Sequence, residues 1–321
     1  MAAGSINCEL QRLLSSERRQ VKRAGFVSGI VSILGRPNAG KSTLLNALLG
    51  QKLAIVSSRP QTTRTSIQGV LTLPEAQIVF VDTPGIHKSD SLLNKRMMDT
   101  IRAHAETDVA LFLVDALAPS TEQDSQAVDL IKKISAPVLA VINKTDRLDQ
   151  KGKILELIER YRALHDFTAY VPISALSGEG LDILRTEIVK RLPEGPALYP
   201  DDHVTDQPER FLAAEILREK ILHLTRDEVP HAVAVMIESW EDTPTLLRIA
   251  ASIYVERPGQ KTILIGAAGA LLKKIGTLAR QEMERVFDKK IFLQTFIKVR
   301  PRWREDSEFL AQADWRSMAG T

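Results

Sequence analysis

Short runs rich in Val, Ile and Leu alternate with amphipathic stretches along the first part of the chain. Strands are predicted at 27–34, 67–73, 77–81, 109–114, 138–142 and 169–173. Helices are predicted at 43–49, 92–104, 121–134, 153–165 and 179–192. This alternation predicts an α/β domain with a mostly parallel sheet and helices on both faces.

The last third of the chain has a different order of elements. An amphipathic helix is predicted at 209–224, with Phe211, Leu217 and Leu224 on one side. It is followed by strands at 233–237 and 247–255, helices at 260–265 and 270–287, and a strand at 291–299. This order predicts a smaller α+β domain.

The length of 321 residues and a proline-rich, aperiodic stretch between the two patterns predict two domains. The predicted parts are an N-terminal arm at 1–24, a first domain at 25–192, a semi-rigid linker at 193–208, a second domain at 209–304 and a tail at 305–321. The arm has no apolar core of a secretory signal, and organellar targeting is its alternative interpretation.

Composition and charge narrow the function classes. Hydrophobic residues make up 44% of the chain and no apolar run has the about 20 residues that cross a bilayer, so we expect a soluble globular protein. The single Cys8 excludes an internal disulfide or a structural zinc site and indicates a reducing compartment. Between Arg257 and Arg304, twelve Lys and Arg stand against three acidic residues, which suits a polyanion partner.

A glycine loop stands between the first predicted strand and the first predicted helix. It fits the pattern G-x-x-x-x-G-K-[ST], in which backbone N–H groups and a helix N-terminus surround a polyphosphate. Its residues are Gly35, Arg36, Pro37, Asn38, Ala39, Gly40, Lys41 and Ser42, followed by Thr43. In this setting Lys41 would reach the outer phosphates and Ser42 would ligate Mg²⁺.

Two further segments suit a nucleotide switch. The loop at 51–66 is longer than a simple connection, and Thr62 or Thr63 could bind Mg²⁺ there; we favour Thr63. Asp82 ends a strand, where it would hold Mg²⁺ through water, and Gly85 would offer an N–H to the outer phosphate. The predicted switch residues are Gln61, Thr62, Thr63, Arg64, Thr83, Pro84 and Ile86.

The tetrapeptide Asn143-Lys-Thr-Asp146 follows another predicted strand. An Asp side chain can accept hydrogen bonds from both the ring N–H and the amino group of guanine, whereas adenine offers no such pair. Asn143 would tie this loop to the glycine loop at 35–42, which we call the phosphate loop. Lys144 would pack along the base. The loop Ser174-Ala175-Leu176 would let a backbone N–H approach the base carbonyl.

These sequence boxes, in this order, resemble a small GTPase domain. The Pro37-Asn-Ala-Gly-Lys-Ser42 form and the sequence Gln61-Thr-Thr-Arg64 resemble the Era branch of the translational GTPases. The resemblance implies a P-loop GTPase domain that cycles between GTP and GDP with Mg²⁺. It also extends over the Lys298–Arg304 ending and spans residues 25–310 in total.

One residue departs from the Ras-type pattern. Ile86 stands where Ras-like enzymes carry the glutamine that orients the attacking water, and its side chain cannot form a hydrogen bond. The catalytic residue is therefore unknown, and slow hydrolysis is expected. In related GTPases the asparagine equivalent to Asn38 helps to bind K⁺ beside the phosphates, which makes K⁺ a candidate cofactor here.

A second glycine loop, Gly266-Ala267-Ala268-Gly269, lies between two helices of the second domain. The order of elements around it resembles a type II KH domain, which clamps single-stranded RNA at such a loop. The two alanines depart from the basic or polar pair usual at these positions. Phosphate binding would then depend on backbone N–H groups and on neighbouring lysines, namely Lys261, Lys273 and Lys274.

The resemblance implies a cytoplasmic, monomeric GTPase that binds small-subunit ribosomal RNA during assembly of the small ribosomal subunit. Four alternatives stay open: an RNA-binding adaptor with a mainly structural nucleotide site, a GTPase serving tRNA modification, a P-loop ATPase, and a basic face that touches anionic lipid on the inner face of the membrane.

Overall fold

The computed structural model describes residues 25–313 apart from 58, 60, 61, 65, 84–106, 119–121 and 151. The predicted helix at 92–104 therefore lies outside the described residues. In the described part of the first domain, six strands form one sheet in the order β2-β3-β1-β4-β5-β6, in which only β2 is antiparallel to its neighbour. The strands are β1 Val27–Gly35, β2 Ile67–Thr72, β3 Ala76–Asp82, β4 Val109–Asp115, β5 Val138–Asn143 and β6 Ala169–Pro172.

Helices cover both faces of this sheet. They are α1 Lys41–Leu49, α2 Glu122–Ile131, α3 Lys153–Arg162 and α4 Leu181–Val189. Leu44 of α1 and Leu184 of α4 are buried in one apolar cluster, whereas Val128 of α2 and Tyr161 of α3 are buried in another. The predicted α/β class with helices on both faces is confirmed.

Three helices of the first domain end earlier than predicted. The predictions ended at residues 134, 165 and 192, whereas α2, α3 and α4 end at Ile131, Arg162 and Val189. The apolar periodicity extended them because Ile134, Leu164 and Leu192 pack against the core from the turns that follow the helices. Periodicity records which side chains are buried, and it does not record where the helical hydrogen bonds stop.

The second domain packs helices on one face of a three-stranded sheet, in the order β7-β8-β9 within the described residues. Its elements are α5 Glu209–Leu224, β7 Ala234–Asp242, β8 Leu247–Val255, α6 Pro258–Ile265, α7 Ala270–Phe287 and β9 Ile291–Val299. Ile216 of α5 and Ile275 and Met283 of α7 are fully buried against Ile249 and Ile253 of β8. The predicted α+β arrangement is confirmed.

The described part of the predicted tail, residues 305–313, contains a short helix. Helix α8 Ser307–Gln312 begins after Asp306, whose side chain accepts a hydrogen bond from the Phe309 N–H. Phe309 and Leu310 are buried beside Trp303. With Trp303 and Ala234 they form a small apolar cluster that is separate from the core between the helices and the sheet. Burial of these two large apolar side chains stabilises the segment.

The linker is fastened to the first domain. The Val70 N–H donates to the Val204 carbonyl oxygen at 2.7 Å, and the Gln77 side-chain oxygen accepts the Tyr199 N–H at 2.8 Å. The chain thus follows the outer side of β2 before it enters α5.

No single helix in the described ranges is long and apolar enough to cross a membrane. Within the same ranges, one pair of helices, Pro258–Ile265 with Ala267–Phe287, is long and apolar enough when taken together, and the pair is bent by 50°.

Candidate functional site

The glycine loop between β1 and α1 has the backbone that close approach of a phosphate requires. Gly40 has φ 99°, and a Cβ there would lie 2.3 Å from the side-chain nitrogen of Asn143. Gly35 has φ 145°, and a Cβ there would lie 2.7 Å from the Leu113 carbonyl oxygen. Both positions therefore require glycine. The helix that begins at Lys41 has N-terminal N–H groups without intrahelical partners, which favours an anion at this end.

Lys41 is buried inside the loop. Its Nζ donates to the carbonyl oxygens of Gly35 at 3.1 Å and Arg36 at 2.9 Å. Burial lowers the pKa of Lys41 to about 8, and the Asp82 carboxylate opposes this effect. An ammonium group held by neutral carbonyls gains stronger, charge-assisted hydrogen bonds when phosphate oxygens replace them.

Ser42, Thr63 and Asp82 come together from three segments of the chain. The Ser42 hydroxyl donates to Asp82 Oδ2 at 2.7 Å and lies 2.9 Å from Thr63 Oγ1. Thr63 Oγ1 donates to the same carboxylate oxygen at 3.3 Å. The Thr62 hydroxyl donates instead to the Arg59 carbonyl oxygen at 2.7 Å. Of the two candidate threonines, the structure therefore brings Thr63 to the cluster.

The Asp82 carboxylate is fully buried, and its Oδ1 receives no hydrogen bond from the described residues. Burial raises the pKa of Asp82 to about 6, although Lys41 and hydrogen bonds from Ser42 and Thr63 oppose the rise. Two hydroxyls and a carboxylate with an unused oxygen are the hard oxygen ligands that Mg²⁺ prefers. The residues present therefore fit Mg²⁺.

The loop after β5 is tied to the phosphate loop. The Asn143 amide donates to the Ala39 carbonyl oxygen at 2.9 Å and accepts the Ala175 N–H at 2.9 Å. Lys144, in a left-handed conformation with φ 71°, donates to the Asn38 carbonyl oxygen at 2.7 Å. These hydrogen bonds hold the two loops together.

The remaining predicted base contacts lie next to Asn143. Asp146 is exposed in the short helical turn Thr145–Arg147 that follows the Asn143–Lys144 step. Ser174 is buried and Leu176 is 80% exposed. Asp146 thus places an exposed carboxylate directly after the residues that tie this loop to the phosphate loop.

A cleft of about 350 Å³ lies between the phosphate loop and the switch loop. Among the predicted residues, Pro37, Asn38, Gly40, Lys41, Ser42, Thr43, Thr62, Thr63 and Lys144 line it. Ile55, Val56, Ser57 and Arg59 also line it, and sequence reasoning did not identify them. Ile55 and Val56 are adjacent and belong to no periodic pattern, so the sequence around them indicated only a loop.

Arg36, in the phosphate loop, belongs to a buried charge cluster that sequence reasoning also missed. Its guanidinium lies 3.7 Å from Asp115 and 3.5 Å from Asp124. Asp115 also receives a 2.6 Å hydrogen bond from Lys144. Asp124 accepts the Tyr161 hydroxyl at 3.0 Å. Burial and this carboxylate raise the pKa of Tyr161. The cluster balances its charges and links both ligand loops to β4 and α2.

The switch loop is bonded to the second domain. The Val56 N–H donates to Glu219 at 2.8 Å, and Lys52 donates to the same carboxylate at 2.6 Å. Glu282 forms ion pairs with both Lys52 and Lys220. Burial would raise the pKa of Glu219, but hydrogen bonds from Lys52 and Lys220 outweigh it and lower that pKa. Pattern reasoning missed these pairs because their members are far apart in sequence.

Several predicted switch residues stand at the edge of, or outside, the described ranges. Thr83 is buried, and its hydroxyl donates to the Ile33 carbonyl oxygen at 2.8 Å. Gln61, Pro84, Gly85 and Ile86 lie outside the described residues.

The second glycine loop also has a special backbone. Gly266 has φ 70°, and a Cβ there would lie 2.7 Å from the Leu271 Cβ. Gly269 has φ 80°, and a Cβ there would have no atom of the described residues within 4 Å. Ala268 is left-handed at φ 49°, and Ala267 and Ala268 are exposed. The loop therefore offers bare backbone to a ligand at the start of α7.

A groove of about 400 Å³ runs from this loop between α7 and β9. Of the predicted residues, Gly269 and Lys273 line it; Lys274 is exposed on α7, and Lys261 is half-buried on α6. Six further lining residues were not identified from the sequence as part of an RNA site, namely Leu272, Gly276, Thr277, Arg280, Leu293 and Thr295. A groove with apolar, hydroxyl and basic side chains can hold bases and phosphates side by side.

Known proteins match the parts of the chain that contain the two glycine loops. Residues 30–144 match the family model described as 50S ribosome-binding GTPase, and residues 228–304 match the KH domain model. GTPase Era of Geobacter metallireducens is 51% identical, over 89% of this chain and 97% of that protein. GTPase Era of Ruminiclostridium cellulolyticum is 45% identical, over 91% of this chain and 98% of that protein.

Two solved structures match both domains. Aquifex aeolicus Era bound to GDP and AlF4⁻ is 42% identical, with a TM-score of 0.87 over 90% of this chain and 99% of that one. A complex of Era with MgGDPNP and nucleotides 1506–1542 of 16S ribosomal RNA gives the same identity, TM-score and coverage. Relatives above 30% identity over nine tenths of the chain, together with the two loops described above, show that this chain belongs to the GTPase Era family and is a GTPase with a C-terminal KH domain.

Proposed function

We propose that this GTPase is a switch that binds small-subunit ribosomal RNA in its GTP-bound form and acts in assembly of the small ribosomal subunit. The observation that carries the proposal is a guanine-nucleotide loop set and a basic KH groove in one chain. The solved Era complex with MgGDPNP and 16S ribosomal RNA, at 42% identity, supports the same two ligands here. The description as 50S ribosome-binding belongs to a family model that matches residues 30–144 alone. It is therefore weaker evidence about the RNA partner than the Era complex, which covers 90% of the chain.

In this proposal, the phosphate loop binds the phosphates through its backbone N–H groups and Lys41. The hydroxyls of Ser42 and Thr63 and the Asp82 carboxylate hold Mg²⁺, which is supported by their mutual contacts and by the unused Asp82 Oδ1. When bound, Mg²⁺ neutralises charge on the outer phosphates. Gly85 provides an N–H to the outer phosphate.

Guanine selection is assigned to Asp146. The bonds of Asn143 to Ala39 and Ala175 support this role, because they hold the loop that carries Asp146 at a fixed distance from the phosphates. Replacing Asp146→Asn exchanges two acceptors for one acceptor and one donor, so preference should move from GTP to xanthosine triphosphate by about 100-fold. Competition binding measures it, with the exposed Asp149→Asn as control; an unchanged preference would show that Asp146 does not select the base.

Asn38 is proposed to help bind K⁺ beside the phosphates, which would supply the positive charge that an arginine finger supplies in other GTPases. Its left-handed backbone, with φ 63°, sets it at the rim of the cleft. Hydrolysis in KCl should then exceed hydrolysis in NaCl at equal ionic strength, and Asn38→Ala should remove the difference. Equal rates in the two salts for the unaltered protein would dismiss the K⁺ site.

RNA binding is assigned to the groove between α7 and β9. Gly266 and Gly269 let an RNA backbone approach α7, while Lys273 and Arg280 supply positive charge from the groove wall. The exposed Ala267 and Ala268 add no charge, so affinity depends on backbone N–H groups and these neighbours. Lys261 and Lys274 lie at the margin of the same surface.

The same proposal places the chain in the cytoplasm as a monomer. The excess of Lys and Arg over residues 257–304 supports a second, weak contact with anionic lipid on the inner face of the membrane. Flotation with anionic and neutral vesicles, with and without competing RNA, separates the two polyanions.

Crosslinking in cell extract tests the switch directly. The chain is loaded with GDPNP or with GDP, crosslinked to RNA, and the bound fragments are sequenced. We expect small-subunit RNA to be enriched with GDPNP and lost with GDP. Lys41→Ala should show the GDP pattern in both arms, whereas the exposed Lys132→Ala should behave as the unaltered chain. Equal enrichment in both nucleotide states would favour the RNA-binding adaptor alternative.

A further inference from the structure

Both neighbours of Thr63 are held by the second domain. Arg218 of α5 donates a hydrogen bond from Nη2 to the Thr62 carbonyl oxygen. On the other side, Arg64 donates from Nη1 to the Val233 carbonyl oxygen at 2.7 Å. Thr63 lies between these two hydrogen-bonded residues, and its hydroxyl contacts Ser42 and Asp82. The position of its hydroxyl is therefore set from outside the first domain.

Arg218 is held rigidly before it reaches the switch loop. Its Nε and Nη2 donate to the two carboxylate oxygens of Glu215, one turn earlier on α5, at 2.7 and 2.6 Å. The Arg218 side chain is 2% exposed and that of Glu215 is 13% exposed. A buried guanidinium with two parallel bonds to a carboxylate keeps one orientation. The Thr62 carbonyl oxygen therefore accepts a hydrogen bond from a guanidinium whose orientation is fixed.

Arg64 enters the interior of the second domain. Its guanidinium lies 5.4 Å from the ring centre of Trp303, a side chain that is 1% exposed and donates to the Ala232 carbonyl oxygen at 2.9 Å. Burial lowers the pKa of Arg64 to about 9, and the nearby charge of Arg218 acts in the same direction. A cation over the face of an aromatic ring is attracted by the negative charge of that face. Together with the hydrogen bond to Val233, this contact holds Arg64 on the second domain.

We propose that Arg218 and Arg64 are positioning residues for the GTPase reaction: they hold the peptides on either side of Thr63 so that its hydroxyl reaches the metal and the outer phosphate. This inference rests on the proposed role of Thr63 as a Mg²⁺ ligand. A switch threonine binds the metal only when the outer phosphate is present. The second domain therefore contributes to the binding of the triphosphate and leaves that of the diphosphate unchanged.

The experiment measures dissociation of fluorescent GDP and of a fluorescent non-hydrolysable GTP analogue from the full chain over a range of Mg²⁺ concentrations. Groups that orient a metal ligand typically change metal affinity by about 10- to 100-fold, so in Arg218→Met we expect about tenfold faster release of the triphosphate analogue and a higher Mg²⁺ requirement. Arg64→Met, which acts on the other neighbour of Thr63, should do the same. The exposed Arg210→Met, on the same helix as Arg218, is the matched control.

GDP release and the melting temperature should stay at the values of the unaltered chain in at least one of the two arginine variants. Equal acceleration of GDP and triphosphate release in both, or no change in either, would overturn the positioning role. Thr63→Val separates the two proposals. If this variant itself leaves triphosphate release unchanged, the metal role of Thr63 fails; if it accelerates release while both arginine variants do not, only the positioning role fails.

Discussion

The two glycine loops of the chain both precede a helix with glycine at its N-terminal cap, yet they differ in what surrounds them. The first loop is enclosed: Lys41, Asn143 and Lys144 all bond to its carbonyl oxygens. The second loop is open, and a Cβ at Gly269 would touch nothing in the described structure. Enclosure suits a small ligand of fixed shape, whereas an open backbone edge suits a polymer that continues past the site.

The largest expected effect comes from removing the cation inside the enclosed loop. Lys41→Ala should lower GTP hydrolysis by about 100- to 1,000-fold, because a charge aimed at the transferred phosphate is lost. Single-turnover hydrolysis measures it, with Lys132→Ala as control. RNA affinity in the GDP state should not change. A loss of hydrolysis below about threefold would break the contrast between the loops.

The two glycines of the open loop should differ in their tolerance to a methyl group. Gly266→Ala meets Leu271 and an unfavourable φ, and should lower the free energy of unfolding of the second domain by about 2 kcal/mol. Gly269→Ala meets only an unfavourable φ and should cost about 1 kcal/mol. Chemical denaturation compares them directly, each serving as the control for the other. Equal costs would mean that the space around Gly266 does not matter.

A charge added to the open loop should strengthen binding. Ala267→Lys places one cation beside the RNA backbone and should raise affinity for single-stranded RNA by about threefold, while log K should fall more steeply with log salt by about 0.7. Ala267→Gln, similar in length and uncharged, is the control. An unchanged salt slope would show that RNA phosphates do not pass this position.

The smallest effect concerns the pH dependence of the domain contact. Burial acts to raise the pKa of Glu282, but hydrogen bonds from Lys220 and Lys52 outweigh it and lower that pKa below the ordinary value of 4.5. A lowered carboxylate pKa contributes stability above the ordinary value and loses it as pH falls through the folded-state pKa. Glu282→Gln should therefore reduce the dependence of the melting temperature on pH below 4.5. An unchanged profile would contradict this.

Elements with strong periodicity were predictable. Apolar periodicity predicted α5 and β9 with their observed bounds. Buried positions alternate in β9, whereas α5 is buried on more than one side, because its Arg218 and Glu219 contact the first domain. The contact of Asn143 with the phosphate loop also followed from a local motif, whereas the bonds of Lys144 to Asn38 and Asp115 did not. Residues brought together by the fold were not predictable: Arg218 and Thr62 are 156 positions apart, and no spacing rule connects them.

The short helix α8 was missed for a related reason. Six residues with two large apolar side chains carry too little pattern to distinguish a helix from a tail. Only the presence of Trp303 and Ala234 beneath them makes burial of Phe309 and Leu310 favourable. Charge clusters such as Arg36 with Asp115 and Asp124 are likewise visible only once strand ends and helices are assembled.

The path of the linker along β2 affects how the protein behaves at high concentration. β2 is the outermost strand on its side of the sheet, and an uncovered edge strand is a template for pairing with a strand of another molecule. The Val70 N–H already donates to the Val204 carbonyl oxygen, and the Gln68 carbonyl oxygen accepts a hydrogen bond from the Thr205 hydroxyl. The segment that joins the domains therefore also covers this edge strand, which reduces its pairing with other molecules and hence self-association and fibril growth.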